Sequence, residues 1–425
     1  MRERLFVAIV LVTFWMSFSL NALHIVSPEW FYRQNRDMES YVLGKLIVSR
    51  QYGFFYKAGL TGQAAATNLE PYPPALVEDT YARYLNNDGL TGFTPYLSHP
   101  GGQAVFLATL DRWLPFSPLL KLHFYHALIS LLSAIAITMV IGWIYRIAGV
   151  WAAAAAFIGT LFSSWLTVFG RNLWWCLAAF YVPFLVLVYM LVKQKSGTRE
   201  LIFATCIGVL VKYAATGYEY VTTALLMMFV PIVYYGIANG WGISKAVKIV
   251  GSVITGTVLA TLLSIAVLSW QIRIVTGSFR NALDHFVISL LKRTFADPSG
   301  FSPAIAWSLK TPVLTVLRSY LAGYYFGPVK YWHLFAFFIL AILVLLAGRR
   351  DRQDWAYMMA VCFSVLAPLS WLVIFKAHSQ LHPHMNFIVW QMPFTLLGFG
   401  LMGRAAVCVI DSRRFSESRS RFNGL

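Results

Sequence analysis

The sequence predicts an all-α fold: a polytopic membrane helix bundle of about ten spans, with interfacial helices in two long outer loops. Three observations predict it. Hydrophobic residues make up 58% of the 425 and charged residues 12%, half the share of about one quarter usual in soluble chains. Apolar runs recur at about 20 residues, enough to cross roughly 30 Å of hydrocarbon. Lys and Arg collect in alternate short loops rather than on one soluble module. That scatter also argues against nucleic acid as a partner, despite a formal charge of +17.

The spans fall near 5–23, 122–145, 149–168, 172–192, 201–214, 219–238, 246–269, 332–347, 355–375 and 388–410. No small-x-small cleavage site follows the first run, so it reads as an uncleaved span rather than a signal peptide. Cys176, Cys206, Cys362 and Cys408 all lie within spans, without metal-ligand spacing, and read as small apolar residues. One set of short loops holds Arg2, Arg4, Arg146, Lys193, Lys195, Arg199, Lys245, Lys248, Arg349, Arg350 and Arg352, and the tail adds Arg413, Arg414, Arg419 and Arg421. The other set holds little beyond Arg171, Lys212 and Lys376. The positive-inside rule then predicts an inner-membrane protein with both termini cytoplasmic and segments 24–121 and 270–331 outside. Residues 1–425 read as a single domain, ending in a disordered tail over 412–425.

The first outer segment carries the turn clusters Glu70-Pro-Tyr-Pro-Pro74, Asn86-Asn-Asp-Gly89 and Leu97-Ser-His-Pro-Gly-Gly102. Residues 102–114 are too short to span, carry charge, and predict a helix at the interface. In the second segment, positions 279, 283, 286, 287, 290 and 291 are apolar at helical spacing, with Arg280, Asp284, His285 and Lys292 on other faces. This predicts a helix lying flat on the outer leaflet, with a plain packing helix as the alternative.

Candidate chemistry starts at Arg36-Asp-Met-Glu39. Asp37 and Glu39 open an amphipathic helix pattern beside the membrane, anchored by Tyr41, Val42, Leu43, Leu46, Ile47 and Val48. A carboxylate fixed there can take a proton from a hydroxyl as its oxygen attacks an electrophile; a solvated loop charge is the plain alternative. The loop Lys376-Ala-His-Ser-Gln-Leu-His-Pro-His384 gathers three of the nine histidines, His378, His382 and His384, behind a cation. Such a set suits a phosphate-bearing headgroup, with metal ligation or an ordinary wet loop as rival readings. Glu219 and Lys212, at the outer ends of neighbouring spans, either pair with each other or line a substrate cavity. Arg171, Arg318 and His99 are further outer-face candidates. Walker, dinucleotide, Gly-x-Ser-x-Gly and His-Glu-x-x-His signatures are all missing, so a donor has to arrive outside already activated.

This combination resembles the GT-C superfamily of integral membrane glycosyltransferases: a first span, a long outer loop with an acidic motif (Asp37-Met-Glu39) ahead of Tyr41 and an apolar helix, and a basic, His-rich loop before the last span. Met38 separates two acids that the family often places side by side. The resemblance implies a polyprenyl-phosphate-linked sugar as donor and a glycan, lipid or protein hydroxyl as acceptor. It implies Asp37 or Glu39 as general base, and inversion at the anomeric carbon. Lys376, His378, His382, His384, Arg171 and Arg318 would contact the donor phosphate, with Glu219, Lys212 and His99 lining the substrate cavity. The resemblance singles out no cofactor and leaves a divalent metal open. A transporter or flippase of lipid-linked saccharides would instead want midplane charges and two related halves. An O-antigen polymerase or ligase would place arginines in the large outer loop, where Arg273, Arg280, Arg293 and Arg318 stand.

Overall fold

In hydrocarbon a backbone polar group has to be satisfied within its own segment, so the charge-poor runs of this chain become helices. The computed structural model describes residues 2–34, 36–65, 74–194, 197–348 and 351–422. Residues 70–73 of the Pro-rich turn, Lys195, Arg349 and Arg350 lie outside them.

Helix α1 (Arg2–Leu20) leads to α2 (Pro28–Arg33), α3 (Arg36–Tyr52), α4 (Pro74–Asn86) and α5 (Gly102–Trp113). The last of these is the short helix expected over 102–114. Strands β1 (Gly62–Ala64) and β2 (Phe93–Pro95) form a small antiparallel pair beneath α3. The bundle continues through α6 (Pro118–Ala148), α7 (Val150–Leu161), α8 (Ser164–Phe169), α9 (Leu177–Val192), α10 (Thr198–Thr216), α11 (Val221–Met227), α12 (Phe229–Ala238) and α13 (Ile243–Thr276). The second long segment holds α14 (Phe279–Leu291), α15 (Pro303–Lys310), α16 (Val313–Ala322) and the pair β3 (Tyr324–Phe326) and β4 (Val329–Lys330). Helices α17 (Tyr331–Ala347), α18 (Arg352–Ser364), α19 (Leu366–Ile374), α20 (Lys376–Leu381), α21 (Pro383–Asn386) and α22 (Phe394–Phe422) complete the chain.

The all-α, multi-span character is borne out, and part of the expected set of about ten runs is long unbroken apolar helix. Among the described residues, six helices are long and apolar enough to cross a membrane: Glu3–Leu20, Pro118–Ala148, Val221–Ala238, Ile243–Thr276, Arg352–Ile374 and Phe394–Asp411. The other runs are interrupted for local reasons. Run 149–168 breaks where Ser163 caps α8, its hydroxyl accepting from the Leu166 N–H at 3.3 Å. Run 172–192 becomes helical only at Leu177, after a left-handed Cys176 (φ 39°). Run 332–347 is the apolar but shorter α17, and run 201–214 is α10, which carries Arg199, Glu200 and Lys212. Two of the spans are themselves broken. Pro231 has no N–H for the Met227 carbonyl, and Pro368 has none for that of Ser364, so the α11–α12 and α18–α19 junctions fall a few residues earlier. The backbone of α22 runs on as helix to Phe422, past Ser412 where the sequence suggests disorder.

All six expected anchors of α3 are buried. Helix α3 lies so close to β1 that a Cβ on Gly44 would collide with the Gly62 carbonyl and stand 3.0 Å from the Gln63 Cα. Gly44→Ala is therefore expected to cost about 1–3 kcal/mol, read as a lower thermal midpoint in detergent. Asp111 of α5 ties four helices together: it accepts from Arg50 Nε (2.5 Å) and Nη2 (2.9 Å), from Tyr84 Oη (2.9 Å) and from Tyr125 Oη (3.0 Å).

The two long segments meet at one end of the bundle. Gln271 Nε2 donates to the Ala58 and Pro100 carbonyls at 2.9 and 3.0 Å, and Ser98 Oγ lies 2.9 Å from His285 Nε2. Helix α14 rests on α13 through Ala282 and leaves Phe279, Leu283, Val287 and Leu290 exposed, an apolar face of the kind that lies on lipid. The termini of α1 and α6 mark the other end, where Arg146 reaches Glu3 at 3.4 Å.

Candidate functional site

Helix α3 begins next to the 170–176 turn, and that turn is rigid because Asn172 Oδ1 accepts from the Trp174 and Trp175 N–H groups at 3.0 and 3.2 Å. The Leu173 N–H is thereby aimed at Glu39 Oε1, 3.0 Å away. The same oxygen accepts from His126 Nε2 at 2.9 Å, and Oε2 accepts from Tyr81 Oη at 2.5 Å. On the far side of the imidazole, Arg171 Nη2 donates to His126 Nδ1 at 2.9 Å. A guanidinium can only donate, so the His126 proton sits on Nε2 and the chain Arg171 to His126 to Glu39 has one direction.

Burial pushes the Glu39 carboxyl up, but His126, with the hydrogen bonds from His126, Tyr81 and Leu173, outweighs it and holds the pKa at about 2. Tyr81, buried against that carboxylate, is pushed well above its ordinary value. Arg171 is 8% exposed, and its guanidinium packs over the Phe31 and Tyr32 rings at 4.6 and 5.1 Å. Its Nη1 is buried with no hydrogen-bond partner among the described residues. Phe31, Tyr32, Arg36, Glu39, His123 and Arg171 line one cavity of about 240 Å³. Arg36 crosses its rim, stacked on Tyr81 at 3.9 Å and paired with Glu78 at 2.8 Å.

A second polar cluster begins one turn away. Gln34, also on the cavity wall, donates from Nε2 to the His384 carbonyl at 2.7 Å, which pins the His-rich loop to the start of α3. Burial lowers the His384 pKa, and the nearby Asp37 opposes that effect. The His378 and His382 rings lie 4.8 Å apart, those of His382 and His384 5.6 Å. Burial, with Arg293 and the neighbouring imidazoles, holds His378 well below its ordinary value and His382 at about 4. These rings are neutral donors and acceptors at pH 7, not cations. Arg293 stands 3.6 Å from Glu219 Oε1 and donates to Tyr96 Oη at 3.5 Å, while its carbonyl accepts from the His378 N–H.

The structure thus brings Glu39 to Arg171 and Asp37 to His384. Other expected residues have structural partners. Lys376 Nζ donates to the Leu309 and Thr311 carbonyls at 2.5 and 2.8 Å, closing the end of α15. Lys212 Nζ donates to the Gly217 and Glu219 carbonyls at 2.6 and 2.7 Å, so of the two readings offered for it the lysine takes neither and caps a turn, while the Glu219 carboxylate faces Arg293. His99 Nδ1 accepts from the Gly101 N–H at 2.9 Å with its ring against Trp174; burial lowers its pKa to about 3. Arg318 is exposed on α16 and does not line the cavity. Among the described residues, no group of three or more His, Cys, Asp or Glu is placed to hold a metal ion.

Sequence reading missed His126, Tyr81, Arg36 and the pairing of Arg293. An imidazole at the mouth of a span was a signal for His126; Tyr81, in a segment read only for its turns, gave none. Comparison of the chain with family models, with curated proteins and with solved structures gave no match.

Proposed function

We propose that this protein transfers a sugar from a polyprenyl-phosphate donor to a hydroxyl of a glycan, lipid or protein, in the manner of the GT-C glycosyltransferases, at the outer face of the cytoplasmic membrane. The observation that carries the reading is Arg171: a buried guanidinium whose Nη1 has no partner among the described residues, on the wall of a cavity it shares with an anchored carboxylate. A buried cation in that state favours a charged acceptor strongly. The cavity lies against the first turns of α6, a span, so a phosphate on a membrane-held chain can enter while its tail stays in lipid. Polar mass gathered at one end of the bundle favours an enzyme with a fixed face over a transporter, which would carry charge at the midplane.

In this reading the acceptor oxygen attacks the anomeric carbon as the bond from that carbon to the phosphate oxygen breaks. The departing phosphate keeps the electron pair and is stabilised by Arg171, with Arg36 and His123 on the same wall. Asp37, next to Arg36 in the chain and near His384 though not itself on the cavity wall, takes the acceptor proton, and displacement from the opposite side inverts the configuration. Glu39 is assigned a positioning role, because a carboxylate with a pKa of about 2 and three donors is a weak base. The purified protein is expected to release polyprenyl phosphate from a panel of short-chain polyprenyl-phosphate sugars. Arg171→Met should lower kcat/KM by about 10- to 100-fold, the equivalent of one lost charge-assisted hydrogen bond. No release from any donor, with cell-envelope acceptors added, would sink the reading.

A further inference from the structure

We infer that the groove between α1, α6 and α9, at the end of the bundle away from Glu39, binds an anionic phospholipid. This groove, about 250 Å³, has walls of Val7, Met139, Trp143, Leu185 and Val188. Its floor is open at Gly142, where a Cβ would meet nothing within 4 Å. Thr138 lies in the same wall, 5% exposed, with its hydroxyl buried and unpartnered among the described residues. Arg146, Lys193 and Glu3 stand at one end.

Charge identifies the headgroup. Two cations and one carboxylate leave a single positive charge, which matches one phosphodiester with no second cation on the ligand. The existing Arg146–Glu3 contact is long, at 3.4 Å, and its arginine is well exposed, so it competes weakly for the guanidinium. The apolar walls identify the tail. They continue the outward flank of these helices, where Met139 and Tyr189 are each about half exposed, so the groove opens sideways to acyl chains rather than to water. Basic pockets between membrane helices on the side rich in Lys and Arg recognise acidic headgroups in this way. A zwitterionic headgroup would bring its ammonium against Arg146 and Lys193. None of these residues takes part in the site proposed for sugar transfer, so the inference stands or falls separately.

The test uses the full-length protein, delipidated in mild detergent, with retained lipid counted by native mass spectrometry and affinity taken from titration. Phosphatidylglycerol is expected to bind at least tenfold more tightly than phosphatidylcholine. The double substitution Arg146→Gln with Lys193→Gln should abolish that preference. Gly142→Leu, which fills the groove without touching charge, should weaken both lipids. Equal affinity of wild type for the two lipids overturns the inference even if a variant fails to fold. So does phosphatidylglycerol binding that survives in both variants, or displacement of the lipid by millimolar inorganic phosphate, which would mark a bare anion site.

Discussion

Replacing Glu39 with alanine is expected to destabilise the protein by about 3–5 kcal/mol, the usual cost of removing one partner from a buried ionic network. The substitution would leave the Leu173 N–H, the Tyr81 hydroxyl and the His126 Nε2–H without an acceptor, and Arg171 without its nearest negative charge. Glu39→Gln keeps an acceptor oxygen for Leu173 and His126 and should cost less. The same network predicts a pH dependence. The folded-state pKa of Glu39, about 2, lies below its ordinary 4.5, so its stabilisation is complete above pH 4.5 and is lost as the pH falls from there toward 2. The shift corresponds to something on the order of 3 kcal/mol at a fully buried site. Unfolding of wild type, Glu39→Ala and Glu39→Gln, followed in detergent at pH 7 and then from pH 5 downward, measures both effects. A wild-type midpoint in the alanine variant, or an unchanged acid limb in the glutamine variant, would contradict them.

Asp37→Asn is expected to slow transfer by about 10²–10⁴-fold, the usual contribution of a positioned base, while leaving the unfolding midpoint near wild type. The carboxylate is only partly buried and takes part in none of the bonds that hold Glu39. Single-turnover release of polyprenyl phosphate, run beside the unfolding curve, separates the two acids: Asp37 should act on rate alone, Glu39 on stability and rate together. Full turnover in Asp37→Asn with loss in Glu39→Gln would exchange the two roles.

What could be read from the sequence follows from how local each interaction is. The helices 36–52, 102–113 and 279–291 were legible because their apolar spacing is a property of neighbours in the chain. The breaks near Met228 and Val365 were legible in principle, since Pro231 and Pro368 stand in plain sight, but a hydropathy window averages over them. Partners were not legible. Tyr81, His126 and Leu173 converge on Glu39 from 42, 87 and 134 residues away. Lys376 and Lys212 read as ligand-binding cations because a sequence shows charge without showing the backbone carbonyls that consume it. Arg171 was named only as an outer-face cation, and its link to Glu39 runs through an imidazole that the sequence reading had assigned to a span.

The two proline-broken spans are also neighbours. Helix α11 packs on α19 and α12 on α18, so the interruptions lie side by side at one depth. At each interruption a proline removes one backbone hydrogen bond while the junction residue, Met228 or Val365, keeps right-handed helical angles. The short helices α11 and α19 pack together on one side of these interruptions, with Glu219 just before α11 and the His378 loop just after α19. The Glu219 turn and the His378 loop, two parts of the polar cluster, are therefore carried on one packed pair of short helices.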